Sequence, residues 1–381
     1  MYSVPEYLWM VTDPVRVDAY ARALRAAITP QSFVIEIGTG IGVFAVMARQ
    51  MGARRVVAIE PSDAIAVARQ IAKDNGCPDI EFIQALARSV SFSERADIVV
   101  SDLRGVLPVF NGHLESVIDA RERLLAPGGV LIPVADTLFA AVVEMPERHR
   151  KRTPSFSAGG AVKLDAVRRF ITNTWEKAHV ETEELLTTPA PWARIDYEGV
   201  TSADVAGATR LTVERGGTGH GVAVWFDAML GEGVTFSNAP GQPELVYGTA
   251  VFPWPEPVDL HPGDEICIRI DARHVGDDYV WRWDSEVRTG DSPSTTKAHF
   301  HQSTFHGHPL VPRKLAKGSA AGTTVLNEEG QLQAFLLRSM DGTATNHDIA
   351  QRLMEQFPHT FKGFNQALAR VGSVARGFGR D

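Results

Sequence analysis

The stretch VIEIGTGIG, Val34 to Gly42, decides the fold of this chain. An apolar run leads into glycines at 38, 40 and 42, and the helical sequence Val43–Met51 follows at once. Glycine lets a backbone turn sharply and lets a ligand approach main-chain atoms with no Cβ in the way. The spacing G-x-G-x-G departs from the dinucleotide fingerprint G-x-G-x-x-G, whose diphosphate rests on a helix N-terminus. Glu36, just before the turn, would repel a diphosphate and attract an ammonium. A ligand without phosphates, its amino acid part and ribose lying over Gly38, Thr39, Gly40 and Gly42, fits these residues better.

Around this turn the elements alternate. Residues 14–28 read as an amphipathic helix with Pro14 in its first turn. Phe33–Ile37 and Val56–Ile59 read as apolar strands, followed by a helix over Ala64–Asn75. Ile80–Ile83, Asp97–Ser101 and Val130–Ile132 complete the strands, with a helix over His113–Leu125 and a turn at Pro127–Gly129. Short apolar strands alternating with helices imply an α/β, Rossmann-like domain with a parallel sheet covered on both faces. Open sheets of this kind bind ligands at the carboxyl ends of their strands, where Glu60 and Pro61 close the second strand. A carboxylate there can accept two hydrogen bonds from a ribose diol. The alternative is that Glu60 only caps the next segment through Ser62.

Beyond residue 135 the period changes to two. Thr137–Val143, Leu211–Glu214, Val222–Leu230, Tyr247–Phe252, Glu265–Asp271 and Tyr279–Val287 alternate apolar and polar residues, the pattern of an antiparallel β-barrel or sandwich. Residues 146–165 read as a surface loop, Glu183–Leu186 as helical, and 312–326 as a linker. From Gln331 the helical period returns. The domains expected are 1–135, 136–311 and a small helical appendage at 326–381, since 381 residues exceed one ordinary core.

A formal net charge of -8 argues against nucleic acid as the main partner, because phosphate binding needs clustered positive charge. No run of about 18 apolar residues exists, so no membrane span is expected. Met1 to Asp18 lacks the basic and apolar regions of a signal peptide. Cys77 and Cys267 make neither a disulfide framework nor a metal cluster, as in a reducing, cytoplasmic protein.

Five stretches, DPVRVDAY (Asp13 to Tyr20), EIGTGIGV (Glu36 to Val43), AIEP (Ala58 to Pro61), SDLRG (Ser101 to Gly105) and LAPGGVLIP (Leu125 to Pro133), resemble the protein arginine methyltransferases, a branch of the class I S-adenosylmethionine-dependent enzymes. VWFD (Val224 to Asp227) and HPGDE (His261 to Glu265) resemble that family's barrel. The resemblance covers residues 1–310. It implies S-adenosylmethionine as cofactor, with Arg16 on its carboxylate, Glu36 and the glycine turn on its methionine part, and Glu60 on its ribose. Leu86, Ala87 and Ser101 complete the implied cofactor set, Leu86 and Ala87 serving adenine through the backbone. Leu164–Tyr197 resembles the family's dimerisation arm, which implies a homodimer.

The chain departs from the family at the paired glutamates that clamp a guanidinium. The first position is Asp102, the second falls near Asn111, and Arg104 lies between. A cation there would repel an arginine substrate by about 4 kcal/mol at 4 Å under intermediate screening. The family's Thr-His-Trp loop falls at roughly Leu245, Val246 and Tyr247. These departures favour methyl transfer to an oxygen or nitrogen of a small molecule or peptide. Arginine methylation is the alternative, and a non-catalytic cofactor-binding scaffold is the alternative of another class. Asp102 is the candidate to orient the nucleophile or accept its proton, Arg104 to fork onto a substrate carboxylate, and His113 to act as a base. A local salt bridge or a polar helix start are the plainer readings of these three.

Tyr7, Trp9 and Met10 suit either a lid over the cofactor or a hydrophobic staple. DYVWRWD (Asp278 to Asp284) reads as cross-strand pairs. His299, His301, His306 and His308 have metal-like spacing without a nearby acid, and no metal is expected. LNEEGQLQAFLLRSMDGTATNHDIA (Leu326 to Ala350) is similar to peptide-capturing helical modules of the PqqD type; a plain packing module is the alternative.

Overall fold

The structure, a computed structural model, describes residues 3–153, 157–158, 162–290 and 292–379. It divides into a compact unit spanning residues 1–309 and a second spanning 310–381. The parts of the expected loop and the chain ends that fall at 1–2, 154–156, 159–161, 291 and 380–381 lie outside the described residues.

The first unit opens with helices α1 (Val4–Val11) and α2 (Pro14–Ala27). Then come β1 (Phe33–Ile37), α3 (Val43–Gln50), β2 (Arg55–Ile59), α4 (Ala64–Asp74), β3 (Glu81–Ile83), β4 (Ala96–Ser101), α5 (His113–Arg123) and β5 (Leu125–Ile132). The five strands form a parallel sheet in the order β3-β2-β1-β4-β5, so β1 is central. All five residues of β1 are buried. Phe33, Val34, Ile35 and Ile37 supply what a doubly covered strand requires; Glu36 does not, and a buried acid needs a local reason. The expected turn at Pro127–Gly129 falls within the bounds of β5 as a break in its ladder: Leu125 pairs with Ala96 and Val130 with Ile98, so residues 126–129 bulge out, with Gly128 at a φ of 76°.

Asp13 caps α2 by accepting from the Arg16 amide (3.1 Å). Its other oxygen accepts from the Val246 amide (3.0 Å), so one side chain ties the helix start to a loop of the β-rich half.

The β-rich half begins at β6 (Ala135–Val143) and α6 (Pro146–Arg152). It continues through the pair β7 (Ser157–Ala158) and β8 (Val162–Lys163), then α7 (Asp165–Thr172), β9 (Glu176–Ala178), β10 (Ala190–Asp196), β11 (Val205–Thr212) and β12 (Gly217–Gly231). β13 (Val234–Ser237), β14 (Thr249–Leu260), β15 (Glu265–Val275), β16 (Asp278–Thr289) and β17 (Ser292–Ser303) complete it. One antiparallel sheet runs β10-β6-β12-β14-β9 with β13 beside β12; the other runs β11-β15-β16-β17. The loop expected at 146–165 thus contains a helix and a short hairpin where described. Its run PERHRKR starts with proline at the first helical position, which favours a helix start despite the polar composition. The 183–186 segment is only partly helical, a short 3-10 turn at Thr182–Glu184.

Phe226, Phe252, Trp254 and Trp283 are fully buried between the sheets. Each indole N–H finds a partner, Trp254 on Ser285 Oγ (3.1 Å) and Trp283 on Gln302 Oε1 (2.9 Å), as burial of that group demands. A cross-strand hydrogen bond joins β16 and β17, Asp284 accepting from His301 Nδ1 at 2.6 Å.

In the second unit, α8 (Pro312–Gly318) occupies part of the expected linker, its Pro312 again at the first helical position. α9 (Glu328–Ser339), α10 (Asn346–Gln356) and α11 (Phe364–Phe378) pack Leu332, Leu336, Ile349, Leu353 and Val371 into a core of their own. No helix among the described residues is long and apolar enough to cross a membrane.

Candidate active site

The crevice lies where β1, β2 and β4 end. Gly38 and Gly40 take φ values of 69° and 54°, a region that favours glycine. Space forbids side chains there as well. A Cβ on Gly40 would come within 2.6 Å of the Tyr7 ring, and one on Gly38 would overlap the Leu103 side chain. The turn is therefore enclosed between α1 and the loop after β4. Tyr7, Met10, Arg16, Glu36, Phe44 and Asp102 line the crevice with it. Tyr7 and Met10 face the crevice from within α1, and Met10 O accepts from Arg16 Nη1 (2.8 Å). Trp9 points away, 67% exposed.

Glu60 accepts from the Gly40 amide through one oxygen and the Ser62 amide through the other, each at 3.0 Å. It both braces the turn and caps the following segment. Glu36, 3% exposed, accepts from Thr39 Oγ1 (2.5 Å) and the Ala45 amide (2.7 Å). Burial pushes its pKa up to about 8 against those bonds, so near neutral pH the side chain is largely protonated, and a cation placed beside it would favour the ionised form. A cation, a buried carboxylate and bare backbone around one turn fit the zwitterionic methionine part of S-adenosylmethionine, with Arg16 toward the carboxylate and Glu36 toward the ammonium. Pro61 sits exposed at the edge and Ser101 uses its carbonyl to accept from Tyr20 Oη (3.0 Å). Gly42 takes the N-cap position of α3. Leu86 is 48% exposed, and Ala87 opens a single 3-10 turn whose carbonyl accepts from Arg123 (3.0 Å).

Behind the crevice runs a buried array of charges. Asp102 Oδ2 accepts from Arg16 Nε (2.5 Å) and Tyr247 Oη (2.6 Å), and Oδ1 accepts from Arg104 Nη1 (3.1 Å). Arg104 grips Asp136 with two parallel bonds of 2.9 Å and donates to Tyr20 Oη (2.8 Å). Asp136 also accepts from Tyr197 Oη (2.5 Å), whose oxygen lies 3.0 Å from His113 Nε2. The array spans the junction, since Asp102 and Arg104 follow β4 while Asp136 sits on β6.

This geometry corrects three sequence expectations. Arg104 cannot fork onto a substrate carboxylate: its side chain is 0% exposed and already forked onto Asp136. The repulsion it was expected to exert is cancelled by the same partner. His113 cannot act as a base on substrate. It is 1% exposed, it faces Tyr197, and burial together with the Arg104 charge lowers its pKa to about 3. Asp102 is a poor proton acceptor. Burial opposes its ionisation, but Arg16 and Arg104 outweigh burial and hold it at about 2.

Asp136, Tyr20 and Tyr197 escaped the sequence reading as site residues, and Tyr247 was noted only as standing at the family's Thr-His-Trp loop. Asp136 carried a signal, an acid inside the apolar run PVADTLFAAVV; Tyr20 and Tyr197 carried none. Among the described residues no group of three His, Cys, Asp or Glu converges as a metal site.

An acid titration follows. His113 is depressed on folding, from 6.5 to about 3, so its contribution to stability is full above pH 6.5 and lost as pH falls toward 3. Asp102, depressed from 3.8 to about 2, adds a loss only below about pH 4. Stability from urea unfolding at pH 7, 6, 5 and 4 should therefore fall, by about 1.4 kcal/mol per pH unit at most from His113, and His113→Leu should flatten the decline above pH 4. Parallel declines in both proteins would exclude His113 as the source.

Residues 34–129 match the family profile described as a methyltransferase domain, and residues 135–286 match the arginine methyltransferase oligomerization subdomain. A probable protein arginine N-methyltransferase 6 of Arabidopsis thaliana is 27% identical over 61% of this chain. The chain spans 55% of that relative's length. An arginine N(omega)-methyltransferase of Streptomyces achromogenes subsp. streptozoticus is 27% identical over 70% of this chain and 76% of its own. The fold superposes on a chain of the Trypanosoma brucei PRMT1 enzyme-prozyme heterotetrameric complex with AdoHcy, with a TM-score of 0.72 at 21% identity, over 78% of this chain and 96% of the other.

Proposed function

From the premise that the chain is an S-adenosylmethionine-dependent, protein arginine methyltransferase-like enzyme, we propose that it transfers the methyl group to an oxygen or nitrogen nucleophile of a small molecule or peptide. The observation that supports this reading is the set of residues around one glycine turn: Arg16, Glu36 and Glu60 disposed for the cofactor, with Asp102 the acid that lines the same crevice. When bound, the cofactor supplies the electrophilic methyl group. The chain's own residues supply proximity and orientation, which this reaction chiefly needs. α1 and the Leu103 side chain close over the turn and limit water. Asp102, held ionised, offers a fixed negative field to the acceptor rather than a site for its proton, which passes to water after the methyl group is bound. A homodimer belongs to the same proposal, supported by the match of 135–286 to an oligomerization subdomain and by Val162, Leu164 and Val167, exposed at 57%, 36% and 43%.

Arginine methylation is the second reading. The names of the relatives favour it. Incubation with methyl-labelled cofactor and fractionated cell extract, followed by mass analysis, tests both. A product heavier by one methyl group supports the enzyme; label on arginine selects the second reading. Asp102→Asn should lower formation of the identified product about 10²-fold, the lower end for a preorganised electrostatic contact. Unchanged turnover would remove Asp102 from the chemistry.

A further inference from the structure

We propose that Arg104, clamped by Asp136, is a built-in counter-ion that makes the acceptor site select uncharged nucleophiles over cationic ones. The proposal rests on the methyltransferase reading above and names its substrate class.

A guanidinium is recognised by carboxylate oxygens with free lone pairs in a fork geometry. Asp102 is the acid the loop presents to the crevice, and internal donors already use it: Arg16 at 2.5 Å, Tyr247 at 2.6 Å and Arg104 at 3.1 Å. Its side chain is 4% exposed. Asn111, the position where a second acid would stand, is neutral and exposed, with a φ of 43°. Arg104 cannot swing aside to make room. Both of its bonds to Asp136 are 2.9 Å, and its guanidinium lies over the Phe226 and Phe236 rings at 5.5 and 5.8 Å. Arg16 and Tyr247 share Asp102 Oδ2 and Arg104 takes Oδ1, so an arriving cation finds both oxygens already engaged by internal donors. A hydroxyl or an uncharged nitrogen makes no such demand.

The test uses Nα-acetyl-arginine amide as a cationic probe in the presence of saturating S-adenosylhomocysteine, with binding read by calorimetry. Arg104→Met with Asp136→Asn removes both buried charges together, so neither is stranded, and leaves an oxygen at 136 for Tyr197. This double variant should bind the probe at least ten-fold tighter than the parent protein, and the gain should shrink in high salt. Tyr247→Phe frees one donor site on Asp102 without stranding a charge and should shift affinity in the same direction; it decides the matter if the double variant fails to fold. Equal probe affinity in parent and variants, with S-adenosylhomocysteine still bound to each, would overturn the proposal. A parent protein that does not bind S-adenosylhomocysteine would instead sink the methyltransferase reading itself, so the two failures are distinct.

Discussion

Arg104→Met alone should cost the folded protein about 3–5 kcal/mol, the usual effect of removing one partner from a buried ion pair. Asp136 is 0% exposed and would keep only the Tyr197 hydroxyl as a neutralising contact. The carboxylate must then either stay charged in a poorly solvating interior or take up a proton, and both options oppose folding. The loss falls on the junction between the parallel sheet and the barrel, so it should lower the main unfolding midpoint in urea. The double change Arg104→Met with Asp136→Asn should recover most of it, because a well-packed neutral pair is often as stable as the ion pair it replaces. A single variant as stable as the parent would show that water or another group reaches Asp136.

Glu60→Ala should weaken S-adenosylhomocysteine binding by about 30- to 150-fold, or 2–3 kcal/mol, the penalty of leaving buried donors unpaired. Two effects combine. The Gly40 and Ser62 amides lose their acceptor at 3.0 Å, and the turn that carries the ligand relaxes. The proposed bonds to the ribose diol go as well. Glu60→Gln separates them: its one carbonyl oxygen still braces one amide, so a loss as large as that of alanine points to the charge-assisted ribose contact. Calorimetry of both variants checks this, and an alanine variant that binds within three-fold of the parent would remove Glu60 from the cofactor site.

The sequence made the nucleotide half legible because its signals are local. A buried strand, a glycine turn and an acid at the end of the next strand each depend on a few adjacent residues, and the sheet order follows from alternating strands and helices. The β-rich half was legible only as a class. Period two reveals strands but not which of them pair, and PERHRKR hid a helix because a short, highly charged run lacks an apolar stripe. The site was legible at the turn and opaque behind it. Asp102 and Arg104 were visible as a loop acid and a loop base, yet their roles depend on Asp136, 32 positions beyond Arg104, and on Tyr247 in the barrel. His113 looked like an accessible helix-start residue until Tyr197 was seen packed against it.

The grip of Arg104 on Asp136 has a consequence for how such a chain can be recombined. The first residue belongs to the half that holds the nucleoside, the second to the opening strand of the barrel. A graft that exchanged one half for its counterpart from a relative without the matching charge would inherit an orphaned ion at the seam. These two modules are therefore a matched set, and variation at either position must be tracked jointly with the other.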